Sequence, residues 1–328
     1  MKKFLFSILA VGAIVACTKS EVKYDEPSEI AFAPVASTAT KAAIDGNVYP
    51  TDIPFNVFSF YAVDVEPGAV QDYSQFTKTY LDNKVFEHQP ESGLFGGKDH
   101  AYYWPKTGSL VFAGYSPDAS TFTSASQAYD FTNGLTITDY VQSANTQKTK
   151  DLMWFNHTAN SYRGYVGVPV TFRHACSWIS FYVTSHTPDA AFRVKEIVLN
   201  DVKVKGTLNA KPGVDPTWSL TADTKPIVVM SGDVVVPSDH TQVKVDDDGV
   251  IVLPQECVSA TITYTMNNGA GVVIEQTQTF NLSAGINGAN WLYGRHYTYT
   301  IKFSADQILI SPNIEDWTEV SGDMVVVD

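Results

Sequence analysis

No stretch of the chain sustains a 3.6-residue apolar period, and that constrains the fold more than any motif does. From Tyr49 onward the chain instead shows short runs rich in β-branched and aromatic residues. Residues 56–65 (NVFSFYAVDV) are apolar on both faces, as in a sandwich strand. Further runs fall at 109–115, 166–172, 176–183, 192–199, 227–230, 249–253, 258–266, 271–282, 296–303 and 308–310. Turn clusters such as Asp246-Asp247-Asp248-Gly249 and Asn267-Asn268-Gly269 separate them. Many short strands at this spacing predict an all-β chain built as β-sandwiches. Only residues 124–129 are read as a short helical turn, and 145–151 and 156–164 are read as polar loops.

The first residues do not share this pattern. Residues 1–16, MKKFLFSILAVGAIVA, have a basic start at Lys2 and Lys3 and an apolar stretch too short to span a bilayer. They are read as a signal peptide. Ile14-Val15-Ala16-Cys17 resembles a bacterial lipobox, in which the Cys17 thiol takes the lipid and cleavage falls before it. Residues 18–29 (TKSEVKYDEPSE) are polar and read as a tether. EIAFAPV follows, with Ile30 and Phe32 alternating with small residues as in a short edge strand. Then comes ASTATKAAIDGN, small and polar, holding Lys41 before Ala42, the kind of segment proteases favour.

The length suits two domains, with a boundary expected near 166–173. The divisions expected are 1–16 signal peptide, 17–41 lipidated tether and removable strand, 42–168 a first sandwich and 169–328 a second. The formal charge is −13, and about −15 without Lys2 and Lys3. That argues against nucleic acid as a partner and against electrostatic attachment to anionic lipid.

Motifs for chemistry are lacking. The seven histidines show neither HxH nor HxxxH spacing, and there is no HExxH, GxSxG or phosphate-binding glycine loop. No cofactor, metal or catalytic residue is assigned, and the chain is read as a non-enzyme. His174, in a strand-like run, is read as a packed or hydrogen-bonded structural residue. Cys176 and Cys257 are read as small buried hydrophobes in preference to a disulfide. Three consecutive aspartates at 246–248 suit a hairpin turn better than a calcium loop, whose ligands alternate. Glu315 and Asp316 are read as a solvated turn before Trp317. The tryptophans are assigned to the core.

Several stretches together resemble the fimbrillin family, the type V pilins of Bacteroidia. They are YYWP at 102–105 followed by SLVFAGYSP, KDLMWF at 150–155, VTFRHACSWISF at 170–181, KEIVLNDVKVKGTLN at 195–209, VLPQ at 252–255, WLYGRHYTYTIKF, and ILISPNIEDW. The order and spacing match from about residue 30 to the end. The resemblance implies two tandem transthyretin-like β-sandwich domains and export as a lipoprotein precursor to the outer membrane and cell surface, where the subunit joins a fimbrium. It implies that a trypsin-like protease removes the lipidated N-terminal segment with its strand, opening a groove. A C-terminal strand from another pilin subunit then fills it, and the fibre serves adhesion to a host or bacterial surface ligand.

On this reading Asp323, Met324, Val325, Val326 and Val327 form the donor strand, and Lys41 and Ala42 flank the processed bond. The alternative for 324–327 is a strand folded back on its own domain. The chain departs from the family in one respect: the best-known members are cut after Arg, and no Arg lies between Cys17 and Ala42. An uncut chain suits an anchor or tip subunit. A rival of another class is a monomeric, glycan-binding surface lipoprotein with an aromatic platform.

Overall fold

The computed structural model describes residues 28–34, 36–37, 49–63, 65, 73–143, 151–161, 165–185, 187, 190–246, 248–267, 271–304, 308–317, 320–321 and 325–326. Among these the chain is all β, interrupted only by single 3-10 turns such as Ala119–Thr121. None of the described helices is long and apolar enough to cross a membrane.

The first half of the chain supplies most of a ten-stranded sheet. Its spatial order is Val320–Ser321, Thr171–His174, Met153–Ser161, Ser109–Ser116, Phe55–Ala62, Lys78–Gln89, Leu94–Gly97, Phe32–Ala33, Tyr165–Pro169 and Val325–Val326. Tyr165–Pro169 and Thr171–His174 lie near opposite ends of that order, yet only Val170 separates them in the chain. The sheet must therefore curl until its ends meet, as strand twist permits. Ring contacts across the interior record the closure: Phe32 lies 5.2 Å from Phe112 and 6.2 Å from Phe155. The enclosed core is aromatic, with Phe32, Phe55, Phe86, Phe95 and Phe155 buried.

The second half packs a five-stranded sheet against a four-stranded one. Ser177–Ser185 and Arg295–Phe303 run parallel at the centre of the first, flanked by Val243–Lys244, Val250–Val252 and Ile308–Asp316. The other is the antiparallel set Thr224–Val236, Ala191–Lys203, Ser259–Asn267 and Val273–Asn281. Alternation, shifted by an irregularity between Val194 and Glu196, places Val194, Ile197, Ile262, Tyr299 and Phe303 inside. A further four-stranded sheet joins Ser126–Asp130 and Gly134–Val141 to Lys205–Ala210 and Thr217–Leu220, combining strands from both sides of residue 168.

The halves meet in one cluster containing Tyr115, Trp154, Trp178, Leu253 and Trp317. His174 sits there fully buried, its Nδ1 3.1 Å and 3.0 Å from the two Asp151 carboxylate oxygens. Its ring stacks on Trp317 at 3.7 Å. The structural role expected of His174 is the one observed. Cys176 is buried, Cys257 is half-buried, and both are free thiols.

Four local expectations are corrected. Residues 124–129 do not turn as a helix: Ser126–Asp130 is a strand paired with Gly134–Val141, and the 3-10 turn precedes it. The stretch 156–164 does not begin as a loop, because Met153–Ser161 pairs along Ser109–Ser116 and buries Met153 and Phe155. Glu315 and Asp316 end the strand Ile308–Asp316, where Arg295 pairs with Asp316, so they do not form a turn. EIAFAPV is no edge strand, as described next.

Candidate functional site

The short strand Phe32–Ala33 lies in the interior of the ten-stranded sheet. On one side it pairs antiparallel with Leu94–Gly97, Phe32 opposite Phe95. On the other it runs parallel to Tyr165–Pro169, with Phe32 opposite Val168 and Ala33 opposite Pro169. Val168 N–H donates to the Ala31 carbonyl at 2.7 Å. Just upstream, Ile30 N–H donates to the Tyr102 carbonyl at 2.7 Å, and Trp104 N–H to the Ser28 carbonyl at 2.9 Å. Pro34 and Pro169 offer no N–H, so the ladder ends where the two prolines arrive.

With so few backbone bonds, side chains hold the strand. Alternation turns Ile30, Phe32 and Pro34 to the interior, and the first two are completely buried. Phe32 stands edge-on to Phe86 at 4.9 Å, Phe112 at 5.2 Å and Phe55 at 5.7 Å. Burial of Ile30 and Phe32 contributes about 1.5–3 kcal/mol each, before the favourable ring geometry. The methyl of Ala33 lies over Gly167: a Cβ added there would stand 2.9 Å from Ala33 Cβ and 2.9 Å from Leu94 Cδ2. Gly167 is thus a requirement of close strand approach.

Beyond Pro34, Ala36–Ser37 pairs in parallel with Tyr49–Pro50. Tyr49 is buried, stacked on Phe172 at 4.8 Å, and its Oη shares a 2.7 Å hydrogen bond with Ser116 Oγ. Burial holds its hydroxyl pKa far above the ordinary value, with Ser116 opposing and Asp151 and Asp52 adding to the rise. Residues 38–48, including Lys41 and Ala42, lie outside the described residues, as does Cys17. Every bond from Ala31 to Pro34 therefore sits on the N-terminal side of that connection.

At the other end of the chain, Val325–Val326 pairs antiparallel with the far side of Tyr165–Pro169, Val326 opposite Tyr165 and Val325 opposite Gly167. Val320–Ser321 pairs with Thr171–His174. Asp323, Met324 and Val327 lie outside the described residues. The strand Tyr165–Pro169 is thus flanked by the N-terminal segment on one side and the C-terminal segment on the other. Sequence reasoning singled out both segments; it did not foresee that they share this neighbour, because pairing at such separation leaves no local trace.

Other candidates resolve into structure. Trp104, Trp154, Trp178, Trp291 and Trp317 are buried, so they build core and no platform. Asp246 is buried and accepts the Phe181 N–H at 2.7 Å; burial raises its carboxyl pKa, against the pull of that bond and of Lys244. Asp248 gives its carbonyl to Trp178 Nε1 at 2.7 Å, so the aspartate turn fastens a strand. Among the described residues no group of three or more His, Cys, Asp or Glu is placed to hold a metal ion.

Comparison with known proteins gives a consistent result. A family model described as fimbrillin-like matches residues 56–317. Among solved structures, a candidate cell adhesion protein from Bacteroides uniformis aligns with a TM-score of 0.56 at 19% identity, over 88% of this chain and 99% of that one. A fimbrial protein from Bacteroides vulgatus aligns with a TM-score of 0.59 at 13% identity, over 80% and 93%. At these identities the structures speak to fold alone. No curated protein matches the sequence.

Proposed function

We propose that this chain, which belongs to the fimbrillin-like family, is a structural subunit of a cell-surface pilus that assembles by strand exchange and serves adhesion. In this reading residues 28–34 are a placeholder. Cleavage between Lys41 and Ala42 frees them, and a strand from a neighbouring subunit takes their place. Residues 323–327 are the segment this subunit offers in turn. Cys17 carries the lipid that holds the precursor at the outer membrane until cleavage. Residues 42–168 and 169–328 act as two tandem transthyretin-like sandwiches.

One observation carries the reading. An interior strand is held by the buried side chains of Ile30 and Phe32, with the smaller Ala33 and Pro34 beside them, and by a few backbone bonds, and it joins the rest of the molecule through one connection, residues 38–48. Such a strand can leave once that connection is cut, and the vacated groove presents unpaired backbone and an apolar slot. Strand addition supplies both main-chain hydrogen bonds and side-chain anchors. A donor burying three or four Val or Met side chains would gain very roughly 5–10 kcal/mol before ordering costs. Head-to-tail pairing of this kind does not close on itself, so it grows a filament. The cis pairing of Val325–Val326 with Tyr165–Pro169 fits a donor stored beside the acceptor groove before assembly.

Limited trypsin treatment of the purified chain tests this. The expected result is release of the N-terminal fragment from a body that stays folded, and slow-migrating species on an unboiled gel once a strand-donating subunit is supplied, collapsing on boiling. A cleaved protein that keeps its N-terminal fragment and takes up no added strand would point to the glycan-binding reading instead.

A further inference from the structure

The groove is shaped for a strand that this chain's own C-terminal segment does not match. Three positions define it. Ile30 occupies a buried aliphatic site, Phe32 a ring-sized site walled by Phe55, Phe86 and Phe112, and Ala33 a site closed by Leu94 over Gly167. A well-fitting occupant therefore reads aliphatic, any residue, aromatic, small. The segment 322–327 (GDMVVV) can be set on these three positions in three ways. They put Gly322, Met324 and Val325, or Asp323, Val325 and Val326, or Met324, Val326 and Val327, in place of Ile30, Phe32 and Ala33. Every register places a valine where the structure has room for a methyl, which overpacks the Gly167 contact. No register supplies a ring to the Phe32 site, so a cavity remains. The second register also buries an aspartate.

We propose that the groove between Leu94–Gly97 and Tyr165–Pro169 selects a strand from a different chain, one carrying the aliphatic-x-aromatic-small pattern, over the 323–327 segment of a second copy. The inference rests on the exchange reading above and narrows its partner. It makes the subunit a junction between unlike chains, with a donor face and an acceptor face that do not fit each other.

The test uses the full chain with a site-specific protease sequence inserted within residues 38–48. After cutting, displacement of the labelled N-terminal fragment is followed with three peptides. They are SEIAFAPVA (residues 28–36), TEVSGDMVVVD (residues 318–328), and the second carrying Val326→Phe and Val327→Ala, which restores the pattern with Met324 in the aliphatic site. The first and third are expected to reach half-displacement at concentrations about tenfold or more below the second, the effect of filling a ring-sized apolar site. If TEVSGDMVVVD displaces the fragment as well as SEIAFAPVA does, the groove accepts a second copy and the inference falls while strand exchange stands. If SEIAFAPVA itself fails at every concentration, the strand does not exchange, and both the inference and the reading beneath it fall.

Discussion

The parallel pair at the centre of the second half and the one that seats Phe32–Ala33 in the first are built in opposite ways. In the second half, Ser177–Ser185 and Arg295–Phe303 run parallel over nine register positions, from Ser177 with Arg295 to Ser185 with Phe303. In the first half, Phe32–Ala33 meets Tyr165–Pro169 over two. The long pair is held by its backbone ladder and belongs to a continuous core. The short pair is held by what Ile30 and Phe32 bury. A core completed through side chains on a short, singly tethered strand can be opened without dismantling the sheet. A core laced by a full ladder cannot.

The sharpest way to break this comparison is to truncate one ring in each core. Phe32→Ala and Phe303→Ala should each cost about 3–5 kcal/mol of stability, as large-to-small changes at buried phenylalanines do. Phe303 packs on Phe192 at 5.2 Å and Tyr264 at 5.3 Å. Region-resolved hydrogen exchange is expected to show Phe32→Ala loosening the first half and speeding loss of residues 28–37 after cleavage, with Phe303→Ala leaving that loss unchanged. Equal effects of both variants on fragment loss would remove the distinction.

Next comes Gly167→Ala, which puts a Cβ against Ala33 and Leu94. Overpacking of this kind costs about 1–3 kcal/mol. The cost should fall in the cleaved chain once the N-terminal fragment is gone, because Ala33 leaves with it and only the flexible end of Leu94 remains to give way. A Gly167→Ala penalty that fragment removal leaves undiminished would mean the groove does not open.

The smallest effect concerns alkaline pH. Burial raises the hydroxyl pKa of Tyr49 in the first half and of Tyr299 in the second, with Ser116 and Trp291 respectively opposing the rise. A raised pKa means that the folded chain keeps protons the unfolded chain releases. Their stabilisation is therefore complete below about pH 10 and is lost as pH rises beyond it. Half-buried Cys257, pushed up to about 11 by burial, adds the same sign from about pH 9 in the second half. Tyr49→Phe should delay the alkaline loss in the first half only, for about 0.5–1.5 kcal/mol of lost hydrogen bond at neutral pH. Thermal melts from pH 8 to 12 would check this; a shift in both halves would contradict the separation.

The same contrast explains what could be read from the residues. The second half was legible because its strands are long and locally patterned: residues 192–199 and 296–303 fall inside observed strands, and 258–266 lies within Ser259–Asn267 in all but its first residue. The buried role of five of the six tryptophans also followed from chemistry, Trp218 being only half-buried. Lys78–Gln89 escaped notice because one face is wet and its residues are largely polar, so its place beside Phe55–Ala62 comes from the sheet and not from its own period. Ile30 and Phe32 were legible as a strand, but the interior position was not. Alternation reports which side chains turn inward and is silent on whether the backbone has one neighbour or two. The three-position fit of Ile30, Phe32 and Ala33 was hidden for the same reason, since Gly167 and Leu94 reach it from distant sequence.

The central claim is that residues 28–34 leave the folded chain. The most direct test is the N-terminus and intact mass of the form present on the cell surface. A chain starting at Ala42, without lipid, is the expected result. A chain starting at acylated Cys17 with residues 28–34 retained would contradict it and make the protein an anchor, a tip or a monomeric binder.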